Sequence, residues 1–305
     1  MSPRMQDIDP AKMRDWTAIV LAGERPGGDP LAKELGVPAK ALIEIEGRTM
    51  LSRVVRALLD SNRAARVLVL AQDTDLIFKG EASDLLSDQR VALMTSGNGI
   101  ASSLRSILGT PDAPWPVLVT TADNALLTAR RVKSFLSGAG GCDIGVGVSE
   151  RSVVESRFPD TRRTWLKFRD GHYSGANLFA FNSDQCLPAI DHWREVEQDR
   201  KKGIKLIASF GPSLLLSFLL RRVGFEKGLG MASRKMGLVA KPIVLDAEAP
   251  IDVDKPEDLD LVRQILAQRL RDKRRAKPVI SEPQSAVCQK EQDQSAREAR
   301  AALHS

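Results

Sequence analysis

Short apolar runs alternate with amphipathic stretches along most of this chain. Residues 18–21 (AIVL), 66–71 (RVLVLA), 91–94 and 117–121 (VLVTT) have the length and β-branched content of strands buried on both faces. Between the first two, residues 49–61 place Met50, Leu51, Val54, Val55, Leu58 and Leu59 on one face at helical spacing. A short acidic helix is predicted after the 66–71 run. This strand–helix alternation predicts a parallel, doubly wound sheet. From 142 to 182 the pattern turns to strands, CDIGVGVSE, TWLKFRD and the run around ANLFAF, with Asp170-Gly171 as a hairpin turn. Residues 184–202 read as a helix that ends in Arg200-Lys201-Lys202, and 206–220 then carry no charge in fifteen positions. A buried helical hairpin is the leading reading there. The alternative is a helix that dips into a bilayer surface or covers an apolar acceptor. A last strand at 241–245 precedes a helix opened by Pro256, with Glu257 and Asp258 in its first turn.

Composition narrows the function classes. The 305 residues, 43% of them hydrophobic, suit a soluble globular protein with a sizeable core. The net charge of +6 fits nucleic acid, anionic membrane or phosphorylated small molecules as partners. Aromatic residues make up only 5%, with a single tyrosine, which argues against the base-stacking surfaces of nucleic-acid binders. Cys142, Cys186 and Cys288 are widely spaced, so neither a disulfide framework nor a zinc site is indicated and a cytoplasmic setting is expected. Only His172, His192 and His304 are present, which leaves little for histidine acid–base chemistry. The organisation expected is a flexible segment 1–15, a domain over 16–270 with a helical insertion at 183–237, and a disordered basic and polar tail from 271.

The candidate chemistry starts where the first strand stops. After Leu21-Ala22-Gly23-Glu24-Arg25, the residues Pro26, Gly27, Gly28, Asp29 and Pro30 fill five consecutive positions. Glycine accepts positive φ and proline pre-sets its own, so such a loop curls tightly and turns its N–H groups toward an anion. Arg25 adds a forked donor, and Lys40 a second cation before the next apolar segment. Neither the Walker nor the Rossmann phosphate pattern is present. A second turn, Gly97-Asn98-Gly99, delivers the chain into a helix rich in small hydroxylated residues, Ser102 among them. A Ser helix cap is the structural alternative there. Asp123 ends the 117–121 strand, where ligands of open α/β sheets bind, and a carboxylate there is well placed for Mg²⁺.

The Leu-Ala-Gly opening, Arg25, the glycine loop, Lys40 and the Ile-Glu-Ile-Glu-Gly-Arg turn resemble the MobA-like nucleotidyltransferases. Glu24 stands at that family's second glycine, and Ala125 replaces the Pro of its strand-Asp-x-Pro motif, so the likeness is to a divergent branch. The resemblance implies a Rossmann-like, mostly parallel sheet flanked by helices, of the glycosyltransferase-A type. It implies transfer of an NMP from an NTP, CTP or GTP, to a phosphorylated acceptor with release of pyrophosphate. Leu21, Ala22, Gly23, Glu24, Gly27, Gly28, Gly97, Asn98, Gly99 and Ser102 would then bind the nucleotide, and Arg25, Lys40 and Asp123 would act in catalysis. The segment Asp252-Val253-Asp254-Lys255-Pro256-Glu257-Asp258-Leu259 is similar to one that completes the family's metal site. Asp254 is favoured as the second Mg²⁺ ligand, with Asp252 as the alternative. Gly175 and Asn177 look like acceptor-side residues, joined by Lys201 and Lys202 on the cationic rim of the 206–220 run. A sugar, polyol or lipid-head-group phosphate is the expected acceptor, in the last case with peripheral contact to the inner face of a membrane. Molybdopterin, a glycosyltransferase reaction on the same fold and a non-catalytic nucleotide-binding regulator are the alternatives.

Overall fold

The computed structural model describes residues 16–24, 27–97, 99–197 and 222–276. They form one compact unit as far as Gln264, and a short second unit begins at Ile265 within the last helix. The strands are β1 (Trp16–Leu21), β2 (Glu44–Ile45), β3 (Arg48–Thr49), β4 (Ala64–Ala71), β5 (Val91–Thr95), β6 (Val117–Thr121), β7 (Ile144–Glu150), β8 (Leu166–Phe168), β9 (Gly171–Phe181) and β10 (Ala240–Val244). The described helices are α1 (Pro30–Glu34), α2 (Met50–Asp60), α3 (Thr74–Ile77), α4 (Ile100–Ile107), α5 (Ala129–Gly138), α6 (Arg151–Arg157), α7 (Leu187–Glu197), α8 (Phe225–Lys235) and α9 (Pro256–Ala276).

The main sheet runs β10-β7-β9-β6-β1-β4-β5, with β8 paired to β9. Successive residues of a strand face opposite sides, and β1 uses both. Ala18 and Val20 enter the core shared with α2 and α5, whereas Ile19 enters a second core shared with α4 and α7. In β4 the same alternation sends Val67 and Val69 to the first core and Leu68 and Leu70 to the second. Each such fully buried aliphatic side chain contributes about 1.5–3 kcal/mol relative to exposure. The sheet is therefore covered on both faces, and continuous apolar runs were its sequence trace.

One strand of this mostly parallel sheet runs the other way. β9 lies antiparallel between β6 and β7. The cause is local: β8 and β9 are joined by a tight turn at Arg169-Asp170, which reverses the chain without a helical crossover. The β7–β9 register slips between Val146 and Val148, which pair with Phe179 and Gly175. Asn177 sits in this bulge with φ +49°, a left-handed conformation that asparagine tolerates better than most residues. Bulges re-aim side chains, and from this one the Asn177 amide reaches Asp252 at 2.9 Å.

The ends of the expected insertion are helical. Asp170, in the β8–β9 turn, accepts the backbone N–H of Phe225 at 3.0 Å, and the Phe225 ring stacks on Tyr173 at 4.8 Å. Residues 198–221, with Lys201, Lys202 and the uncharged run 206–220, lie outside the described residues, as do 1–15 and 277–305. No helix among the described residues is long and apolar enough to cross a membrane.

Candidate functional site

A cavity of about 750 Å³ opens beyond the carboxyl ends of β1, β4, β5 and β6, a volume suited to a small-molecule ligand. Its acidic corner joins segments far apart in sequence. The Lys40 ammonium lies 2.7 Å from Asp123 and 2.5 Å from Asp254. Thr121 donates its hydroxyl to the other Asp123 oxygen at 2.5 Å, and the Asp123 carbonyl accepts Val253 N–H at 3.2 Å. That backbone bond fixes the 252–254 segment against the end of β6. Burial works against the Lys40 charge, but the two carboxylates outweigh it and push the ammonium up to about 12. Asp123 is more enclosed than its position at a strand end suggested, with 19% of its side chain exposed.

Asp252 faces a different partner set. Its carboxylate receives Arg163 at 2.5 Å and the Asn177 side-chain amide at 2.9 Å. The buried Arg163 fork also reaches Asp258. Asp258, in the first turn of α9, accepts the N–H groups of Asp254 and Lys255 at 3.2 and 3.1 Å. This satisfies helix-end donors and holds the turn that presents Asp254. Burial pushes the Asp252 carboxyl up to about 6, and repulsion from Asp123 and Asp254 adds to it, outweighing Arg163 and Asn177. The loop before this segment is anchored in turn by buried Arg131, which pairs with Asp246 at 2.7 Å and Glu248 at 3.2 Å.

The opening loop supplies the opposite wall. Gly27 and Gly28 adopt φ +93° and +77°, the left-handed geometry that such a curl needs. Asp29 caps α1 through Leu31 N–H at 2.9 Å, with Pro30 at the first helical position. Glu24, the departure from the family's glycine, supports the fold locally, since its carboxylate accepts the backbone N–H of Lys40 at 2.7 Å. Its own backbone is clamped by Gln72, whose side-chain amide receives Glu24 N–H at 2.8 Å and donates to Glu24 O at 3.0 Å. The same amide explains Gly23, since a Cβ there would stand 2.9 Å from it.

Across the cavity, Ser103 organises the second glycine turn. Its hydroxyl accepts Gly97 N–H at 2.9 Å and donates to Gly99 O at 2.7 Å. Gly99 occupies the cap position of α4 without a side-chain cap bond, so the anticipated Ser cap is replaced by this inward brace. Ser102 is exposed on α4, and it is Ser103 that lines the cavity.

Leu21, Gly23, Glu24, Gly28, Lys40, Gly97, Gly99, Asp123, Asn177 and Asp254 all border the one cavity. Ala22 is buried beneath it, its N–H bound to Leu70 O, and Gly175 is exposed on β9. Arg25 and Asn98 lie outside the described residues. The sequence reading missed Gln72, Arg163 and Ser103. Gln72 had one local signal, a polar residue directly after an apolar strand, whereas Arg163 had none because its partners lie 89 and 95 positions away.

The donor set fits a divalent cation. Two carboxylates already converge on one positive charge beside an open cavity, and Mg²⁺ takes one or two carboxylates with substrate phosphates completing its shell.

The fold is a mostly parallel α/β sheet with a cavity at the carboxyl edge of its strands. The chain belongs to the MobA-like NTP transferase domain family, whose model matches residues 18–209. It is similar to a hypothetical transferase structure from Thermus thermophilus at 29% identity and TM-score 0.67, over 81% of this chain and 100% of that one. The fold is shared with CMP:2-keto-3-deoxy-manno-octonic acid synthetase complexed with CTP, at 15% identity and TM-score 0.53, covering 84% and 100%. It is shared also with a 4-diphosphocytidyl-2C-methyl-D-erythritol synthase from Anaerococcus prevotii, at 11% identity and TM-score 0.51, covering 83% and 99%. No curated protein matches the chain.

Proposed function

We propose that this chain is a Mg²⁺-dependent nucleotidyltransferase that moves an NMP from CTP or GTP to a phosphorylated acceptor. The observation that carries the reading is the Lys40 ammonium held between Asp123 and Asp254 at the edge of the cavity. An acceptor phosphate oxygen attacks the α-phosphorus, the bond from that phosphorus to the bridging oxygen breaks, and pyrophosphate leaves. A phosphate is ionised at neutral pH, so the attack needs no strong base, which suits a cavity bordered by no histidine among the described residues. Lys40 and the loop N–H groups around Gly27 and Gly28 orient the triphosphate and neutralise its charge. Asp123 and Asp254 would hold Mg²⁺, which supplies further neutralisation on the phosphates when bound. Asn177, which borders the cavity and bonds Asp252, is assigned to the acceptor side.

Two structural neighbours, the synthetase complexed with CTP and the diphosphocytidyl compound's synthase, make CTP the first nucleotide to test. The acceptor class expected is a sugar, polyol or lipid-head-group phosphate. The test is pyrophosphate release with four NTPs against a panel of such phosphates. Turnover by one pair, lost in Asp123→Ala, supports the reading. NTP binding without release from any pair would instead favour a nucleotide-binding regulator.

A further inference from the structure

Lys40 is placed where two roles compete. Its backbone N–H is fixed by Glu24, so the start of the 3₁₀ turn Lys40–Leu42 cannot drift. Its side chain nevertheless crosses to two carboxylates 83 and 214 positions away. While it holds both carboxylates, this lysine has one of its three N–H donors left for a triphosphate, so a fuller grip on the phosphates draws it away from those carboxylates. Carboxylates that take a divalent cation must likewise release the lysine, because an ammonium and a dication repel at that separation.

We infer that Lys40 holds the cation place in the nucleotide-free chain and excludes a lone divalent ion from Asp123 and Asp254. The long, flexible stem of lysine lets Nζ leave without any backbone movement. Lys40 yields the place only when a triphosphate offers its ammonium replacement oxygens. Binding of the metal is thereby conditional on nucleotide, although the two carboxylates are present throughout. The inference rests on the transfer reading only for the identity of the ligand that draws Lys40 away.

Water-proton relaxation with Mn²⁺ distinguishes protein-held metal from the free ion and from a free chelate. Wild-type chain with Mn²⁺ alone is expected to give no enhancement over the range in which Lys40→Met takes up one equivalent. The difference in apparent affinity should be at least about tenfold. Lys40→Ala provides a second neutral variant should Met disturb the turn, and Lys40→Arg, which keeps the charge, should stay blocked. Addition of CTP or GTP should bring Mn²⁺ onto the wild-type protein. Equal uptake by wild type and Lys40→Met without nucleotide overturns the inference, as does absence of uptake in both neutral variants. Failure of both nucleotides to bring Mn²⁺ onto the wild type overturns conditional entry. A chain that releases no pyrophosphate yet shows the Lys40→Met contrast loses the transfer reading alone. An active enzyme whose wild type binds Mn²⁺ unaided loses only the placeholder.

Discussion

The two walls of the cavity are held together in different ways. On the acidic wall, Asp123, Asp252, Asp254 and Asp258 are tied by Lys40 and Arg163, so each charge is fixed by a residue from a distant segment. On the loop walls, Asp29 caps its own helix and Ser103 braces the turn just before it. Gln72 is a side-chain support of the opening loop from 48 positions away. The acidic wall is an electrostatic lattice in which removal of one member leaves its neighbours uncompensated. The loops are local constructions that can deform one at a time. Substitutions on the first wall should therefore cost stability as well as function, and those on the second should act mostly on ligand binding.

Arg163→Ala is the harshest test of that contrast. It leaves Asp252 and Asp258 without the guanidinium they share, and breaking a buried pair from one side typically costs about 3–5 kcal/mol. Urea unfolding measures it. A loss under about 1 kcal/mol would mean that the acidic wall is no more tightly tied than the loops.

Asp123→Ala should lower turnover by about 10²–10³-fold, the usual scale for removing a preorganised electrostatic group. Asp254→Ala should act through the same ion, so the double variant is expected to be little worse than the more damaging single one. Full additivity in initial-rate measurements would separate the two carboxylates.

Asp252 gives the acidic wall a pH signature. Its folded value of about 6 lies above its ordinary value of 3.8, so the folded chain binds this proton more tightly than the unfolded chain does. The associated stability is present in full below about pH 4 and is lost as pH rises through 6. Its upper size is about 3 kcal/mol at 1.36 kcal/mol per unit. Asp252→Asn stays neutral throughout, so the stability of the wild type relative to this variant should fall between about pH 4 and pH 6 and then level off. A flat difference across that window in denaturant titrations rejects the assignment.

The same contrast decides what was legible in the sequence. Local devices left local traces: Thr49 and Thr128 cap α2 and α5, and Pro256 opens α9. Glu46-Gly47 makes the two-residue turn of the β2–β3 hairpin with φ of 49° and 70°. The alternation of buried strands and amphipathic helices gave the layers. Arg163 left no trace, because an arginine in the run Thr161-Arg162-Arg163-Thr164 looks like any solvated charge until the fold brings Asp252 to it. The reversal of β9 was legible only at its turn, where Asp170-Gly171 marked a hairpin. A buried antiparallel strand reads as apolar as a parallel one, and only the short β8–β9 turn betrays the change of direction.

The smallest effect expected lies on the loop side and tests whether the Gln72 clamp matters. A Cβ at Gly23 would meet the nitrogen and oxygen of the Gln72 amide at 2.9 Å each, so Gly23→Ala must push that amide aside. The displaced amide can no longer hold both backbone groups of Glu24, and Glu24 in turn positions the Lys40 backbone. Gln72→Ala removes the same clamp without any clash. Each single variant should therefore weaken NTP binding with little change in unfolding free energy. The double variant should bind about as well as either, because the second change has nothing left to break. The expected coupling is about 1 kcal/mol, within the range for side chains in contact. Calorimetric titration of CTP into the four proteins closes the cycle. Independent, additive losses would show that Gly23 serves the nucleotide directly by close approach of its backbone and that Gln72 is incidental to it.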